Sequence, residues 1–300
     1  MLPNLIIAGV PKAGTTSLFR ALASHPDIFG SSVKETEYFT PLLDGGELAP
    51  IEEYERCFSR STTEPYRLEA TPEYFYGGQR LIDEMKARLG EIRVVLLFRE
   101  PRSRLVSFYR FKKAHMHLPA DLTIEDYVEA CESVPDDQRL ARDRYAFTVI
   151  EGAYYDEYLP PWLASFGNSL QILFLDDLIA DPDGVLRRLA EWLDVDPAGF
   201  APGGLVQDNR TTHFRWASLQ RLALWAAARA EGFSQSHPRI YHRLVAAYYT
   251  VNGQPSVERL PDHTAAHLDQ LFLPHTRRLV GQLVDNGYSV FPEWLRYVSS

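Results

Sequence analysis

The stretch Pro3-Asn4-Leu5-Ile6-Ile7-Ala8-Gly9-Val10-Pro11-Lys12-Ala13-Gly14-Thr15-Thr16-Ser17-Leu18 decides the fold. Its apolar run, Leu5 to Val10, has the continuous character of a strand buried on both faces of a parallel sheet. Pro11 to Gly14 is a tight turn. From Thr15 onward, Leu18, Phe19, Ala21 and Leu22 recur as in a helix. A glycine-bearing loop thus joins a strand to a helix N-terminus. Free backbone N–H groups, those of Ala13 and Gly14 among them, and the positive end of the helix dipole meet there, which suits an anion. Lys12 adds a full charge, and Thr15, Thr16 and Ser17 add hydroxyl donors.

The spacing departs from the nucleoside triphosphatase loop, Gly-x-x-x-x-Gly-Lys-Ser/Thr, in which lysine follows the last glycine. Here Lys12 precedes Ala13-Gly14 and the loop is shorter.

A second strand runs from Arg93 to Arg99, with Val94 to Phe98 continuously apolar. It ends in Arg99-Glu100-Pro101, and Pro101 can open a helix because the first helical N–H groups need no partner. That helix extends to Ala114, with Leu105, Val106, Phe108 and Tyr109 inward. Ser107 lies on it, eight residues after Arg99. A phosphate dianion suits a guanidinium fork and a hydroxyl donor at this spacing.

Elsewhere, Tyr66 to Ala70 and Leu170 to Leu175 read as strands. Helices are expected at Ile51–Phe58, Leu81–Leu89, Ile124–Ala130, Gly152–Phe166, from Asp181-Pro182-Asp183 to Leu193, and at His263–Asn286. Asp176-Asp177 reads as a turn at a strand end and Asn252–Pro261 as a loop. Residues 40–64, 115–145 and 197–215 are polar or Pro/Gly-punctuated. Strands alternating with helices predict a P-loop-like α/β fold, a parallel sheet with helices on both faces, followed by a mainly helical C-terminal third. Ligands of such sheets bind beyond the carboxyl ends of the strands, where Lys12 and Arg99 both fall.

Composition narrows the function. Among 300 residues, 31 are basic and 40 acidic, a net charge of −9. That excludes the basic excess of a nucleic-acid binder. Apolar content of 45% suits a full core. The two cysteines, Cys57 and Cys131, form no metal-type motif and read as free thiols. No metal is expected, and His115 and His117 read as surface residues. No run approaches the ~18–20 apolar residues of a membrane span, and no leader-like segment precedes the first strand. A cytoplasmic protein is the expectation. The aromatic residues of 154–162 read as core.

The pattern Pro11-Lys12-Ala13-Gly14-Thr15-Thr16 resembles the 5′-phosphosulfate loop of sulfotransferases that use 3′-phosphoadenosine 5′-phosphosulfate (PAPS). Arg99, Ser107 and the following Phe108-Tyr109 resemble their 3′-phosphate element. Gly152 to Trp162, the strand at 170–175 and Asp181-Pro182 with its helix also recur in bacterial and Golgi-type members, so the resemblance spans about residues 4–195. It implies a single sulfotransferase domain over 1–300, with a helical portion from about 216. It implies that Lys12 contacts the 5′-phosphate and the bridging oxygen. Ala13, Gly14, Thr15, Thr16 and Ser17 would hold the phosphosulfate, and Arg99 and Ser107 the 3′-phosphate. Lys34-Glu35-Thr36-Glu37-Tyr38-Phe39 resembles the segment that carries the catalytic glutamate in the heparan sulfate branch, which puts Glu35 in that role with Glu37, Glu69 and Glu73 behind it.

There are two departures. Ala70 stands where heparan sulfate 3-O-sulfotransferases have a lysine, and the late Lys-Gly-Arg nucleotide loop has no clear counterpart; Asn209-Arg210 and the loop around Gly253 are the candidates. The expected acceptor is a hydroxyl on a carbohydrate, glycolipid or glycosylated natural product. The competing classes are a P-loop kinase-like phosphotransferase, which would need ATP and Mg²⁺, and a non-catalytic nucleotide-binding partner protein.

Overall fold

The computed structural model describes residues 1–119, 121–134, 146–201, 212–214, 216–229, 248, 252–255 and 259–296. Five parallel strands form the central sheet: β1 (Leu5–Gly9), β2 (Ile28–Gly30), β3 (Tyr66–Ala70), β4 (Arg93–Phe98) and β5 (Leu170–Phe174), in the order β2-β3-β1-β4-β5. The chain leaves β1 toward one edge, returns beside it as β3, then crosses to the other side as β4. β1 is therefore the switch strand, with Leu5 opposite Leu68 of β3 and Arg93 of β4. Loops that leave the carboxyl ends of β1 and β4 are neighbours for this reason.

All five residues of β1 are buried, as are the last five of β4, which explains their unbroken apolar character. Between Ile7 and Gly9 the pairing with β4 slips by one residue, a bulge that re-aims the chain as it leaves the sheet. A Cβ on Gly9 would lie 2.7 Å from Phe75 Cβ, so only glycine fits there.

Around the sheet lie α1 (Thr15–Leu22), α2 (Ile51–Arg56), α3 (Gly78–Leu89), α4 (Pro101–Ala114), α5 (Ile124–Glu132), α6 (Tyr155–Phe166), α7 (Leu175–Ala180) and α8 (Pro182–Leu193). In the C-terminal third, α9 (Ala217–Arg229), α10 (Asp262–Asp285) and α11 (Glu293–Arg296) are described. Leu268 and Phe272 of α10 join Leu105 and Phe108 of α4, and Tyr127 of α5, in a second apolar cluster beside the main core. The helix α10 is clamped to α6 by buried Asp156, which accepts from Arg278 Nε at 2.6 Å and meets His275 Nδ1 at 2.9 Å. Tyr155, Leu159 and Trp162 are core residues, as their spacing predicts.

Three local expectations are corrected. Asp176 and Asp177 lie in the first turn of α7 rather than in a turn, since carboxylates favour a helix N-terminus. Within the expected loop 252–261, Gly253–Pro255 forms a strand, β7, antiparallel to β6 (Thr212–Phe214). Val106 is half-buried rather than inward. Asn209 and Arg210 lie outside the described residues, and Gly253 opens β7. Cys57 and Cys131 are both free. No described helix is long and apolar enough to cross a membrane.

Candidate active site

The loop after β1 is a left-handed turn, with φ of 70° at Lys12 and 95° at Gly14. A side chain at Gly14 would meet Leu175 Cδ1 at 2.8 Å as well as an unfavourable φ, so glycine is required. Gly14 is the N-cap of α1, and it supplies no side-chain acceptor; the first turn holds no acidic residue. The helices α4 and α8 differ. Glu100 caps α4 by accepting from Arg102 N at 3.1 Å and Ser103 N at 2.7 Å. Asp181 caps α8 by accepting from Gly184 N at 2.9 Å. The first-turn donors of α1 are thus left for an external acceptor, and the dipole favours an anion there. Thr15 is buried, while Thr16 and Ser17 are half-buried at the same helix end.

Lys12 Nζ sits 4.0 Å from the centre of the Phe111 ring. Burial lowers its pKa to about 8; Arg99, Lys34 and Lys112 push the same way, and the Glu35 charge opposes them. The ammonium therefore feels four charges from three segments, and the Glu35 carboxylate is the one that favours its protonated form.

Arg99 begins where β4 ends. Its Nη1 donates to the Lys12 carbonyl oxygen at 3.0 Å, and Tyr155 OH donates to the Arg99 carbonyl at 2.9 Å. Arg99 and Ser107 line one cavity of 460 Å³ with Ser103 and Arg110, roofed by Leu260 and Asp262 at the start of α10. Two elements separated by 87 residues in sequence are therefore in direct contact: the turn that carries Lys12 is held by the Arg99 side chain.

Arg104 completes this scaffold, and sequence reasoning missed it. It is 2% exposed. Its Nε donates to Pro11 O at 3.0 Å, Nη1 to Val149 O at 3.0 Å and Nη2 to Tyr76 OH at 2.7 Å. Tyr76 OH in turn donates to Gly152 O at 3.0 Å. A planar guanidinium can satisfy several fixed acceptors at once, which a lysine cannot. The available signal was position: Arg104 precedes Leu105 and lies four residues before Phe108, on the buried side of α4. Lys112 was missed likewise; it is buried, with Nζ 5.0 Å from the Phe108 ring centre.

The four glutamates separate by environment. Glu35 is exposed, pairs with Lys34, and has a φ of 62°; its N–H donates to Ala70 O at 3.1 Å. Glu37 is exposed, also with positive φ. Glu73 is half-buried and its charge acts on Lys112. Glu69 is fully enclosed and hydrogen-bonded to Thr36, Thr71 and Tyr54. His25 has both ring nitrogens engaged, at Asp196 O and Asp27 N. Among the described residues no three His, Cys, Asp or Glu side chains gather as a metal site would require.

The sequence profile of the sulfotransferase domain family matches residues 2–215. Heparan sulfate glucosamine 3-O-sulfotransferase 3B1 of Mus musculus is 27% identical over 208 residues, covering 64% of this chain and 46% of that protein. Bifunctional heparan sulfate N-deacetylase/N-sulfotransferase 1 of Caenorhabditis elegans is 27% identical over 203 residues, covering 65% of this chain and 22% of that protein. The aligned part spans less than half the length of these curated relatives. A solved sulfotransferase from Alicyclobacillus acidocaldarius shares the fold, with a TM-score of 0.68 and 18% identity over 98% of this chain and 99% of its own. The matched region takes in the loop after β1, segment 34–39, and all of β4 and α4, and the chain belongs to the sulfotransferase domain family.

Proposed function

We propose that this chain binds PAPS and transfers its sulfuryl group to an acceptor hydroxyl. One observation carries the reading: Arg99, which lines the cavity, donates from Nη1 to the Lys12 carbonyl at 3.0 Å, so the turn that carries Lys12 lies beside that cavity. A ligand with phosphate groups at both ends of a nucleoside matches that arrangement. The residues fit such a ligand. The uncapped N-terminus of α1, with Lys12, Ala13, Gly14, Thr15, Thr16 and Ser17, suits the 5′-phosphosulfate, and Arg99 with Ser107 in the 460 Å³ cavity suits the 3′-phosphate.

The bound nucleotide supplies the sulfuryl group. The protein supplies fixed charge and a proton acceptor. Lys12 and the N–H groups of α1 are placed to stabilise negative charge growing on the leaving phosphate, without reorganising as it forms. Glu35, whose charge acts on Lys12 and whose carboxylate is open to solvent, takes the acceptor proton. The named relatives act on heparan sulfate, which supports a carbohydrate-type acceptor. Ala70 and the net charge of −9 argue against a long sulfated polymer. A glycan, glycolipid or glycosylated natural product is the reading.

Titration calorimetry in the absence of Mg²⁺ tests the nucleotide. Adenosine 3′,5′-bisphosphate should bind at least tenfold tighter than ATP. Binding of ATP alone, and only with Mg²⁺, would overturn the reading in favour of a phosphotransferase.

A further inference from the structure

The mechanism above leaves one buried carboxylate without a task. Glu69 Oε1 accepts from Thr71 Oγ1 at 2.5 Å and from Thr36 Oγ1 at 3.0 Å, and Oε2 accepts from Tyr54 OH at 3.2 Å. These donors come from three places: the residue after β3, segment 34–39, and α2. A dry carboxylate is tolerable only where such donors converge on it.

The same spot anchors the backbone that presents Glu35. Glu35 N donates to Ala70 O, next to Glu69, at 3.1 Å. Glu37 N donates to Thr71 Oγ1 at 3.2 Å and Phe39 N to Tyr74 OH at 3.3 Å. Glu35 and Glu37 have φ of 62° and 54°, which non-glycine residues hold only when their surroundings fix them. Thr71 is the pivot. Its single hydroxyl proton goes to Glu69, which leaves its lone pairs facing the Glu37 N–H.

We propose that Glu69 is a positioning residue: acting through Thr36 and Thr71, its carboxylate holds the strained segment 34–39 in the shape that offers Glu35 to the Lys12 loop. This rests on the reading of Glu35 as the group that takes the acceptor proton.

A consequence is pH dependence. Burial pushes Glu69 up to about 7, against the pull of the Thr71, Thr36 and Tyr54 hydroxyls. The titratable groups facing it are Tyr54 and Cys57 at α2 and Tyr74 in the turn after β3. Burial raises all three, so they stay neutral through this range. Above pH 7 the carboxylate is ionised and accepts all three hydroxyl protons. Below it, Glu69 takes up a proton that an opened, solvated segment would not hold, so the closed arrangement is favoured as the pH falls through about 7.

Hydrogen–deuterium exchange on the full chain tests this, read over residues 33–40 and corrected for the intrinsic pH dependence of exchange. In the wild type, protection of 33–40 should rise as pH drops from 8 to 6. Glu69→Gln should exchange there about tenfold faster at pH 8 and lose the pH dependence, with β1 and β4 unchanged and affinity for adenosine 3′,5′-bisphosphate within about twofold. Thr36→Val, which removes one donor and leaves the carboxylate, should move the same way by a smaller factor, and it serves if Glu69→Gln does not fold. Unchanged exchange over 33–40, or loss of protection spread equally through β1 and β4, would overturn the proposal. If the wild type labels no acceptor, the functional reading falls, and the exchange and bisphosphate results still decide the role of Glu69.

Discussion

The cation half and the carboxylate half of the site are held in different ways. Lys12 and Arg99 hang from the carboxyl ends of β1 and β4, two adjacent strands buried except at Arg93, and they are joined by a hydrogen bond from side chain to backbone. Glu35 hangs from no regular element. Its segment is irregular, strained at two residues, and pinned to the end of β3 by side chains. The sheet therefore fixes where Lys12 and Arg99 stand, while hydroxyls and one buried carboxylate fix the segment that carries Glu35.

Substitutions separate the halves. On the proposed reading Lys12→Ala removes the cation that would face the leaving phosphate, and it should lower turnover by about 10³–10⁵-fold, with a smaller loss of bisphosphate affinity. Transfer of labelled sulfate to a panel of hydroxylated sugars measures it, and wild-type rates in this variant would break the assignment. Glu35→Gln keeps the shape and removes the proton acceptor. Turnover should fall by about 10²–10⁴-fold while bisphosphate affinity survives; full activity would move the role to Glu37 or Glu73, since Glu69 is enclosed. Ser107→Ala tests the cation half by binding alone. Loss of one hydrogen bond to a charged phosphate should weaken bisphosphate by about tenfold and leave turnover at saturation unchanged.

The smallest effect concerns pH. With the Lys12 pKa lowered to about 8, raising the pH through that value removes the ammonium, so activity should decline on the alkaline side well before an ordinary lysine titrates. An activity plateau extending to pH 10 would show that the charge on Lys12 is not what the reaction uses.

The cation half was legible because its determinants are local. A continuous apolar run, a glycine that must take positive φ, and a proline that opens a helix are each written in consecutive residues. In the carboxylate half the resemblance put Glu35 first, with Glu37, Glu69 and Glu73 behind it. Burial sets Glu69 apart from the others, and it arises from Tyr54, Tyr74 and Thr36, which come together through the fold. Arg104 was hidden for the opposite reason. A charged residue on a helix counts toward its polar face, yet Pro11 O, Val149 O and Tyr76 OH converge on it from three distant segments. The three-residue strands β2 and β7 are too short to show a period and exist through their partners β3 and β6. Asp176 and Asp177 misled because an acidic pair after a strand suits a turn and a helix start equally.

The central claim is that one nucleotide spans both loops. A crystal structure of the chain with adenosine 3′,5′-bisphosphate tests it most directly. The 5′-phosphate is expected on the N–H groups at the start of α1 with Lys12 beside it, the 3′-phosphate between Arg99 and Ser107, and the Glu35 carboxylate facing the vacated sulfuryl position within reach of one water. A nucleotide bound away from Arg99 and Ser107, or with its 3′-phosphate at the α1 N-terminus, would contradict it.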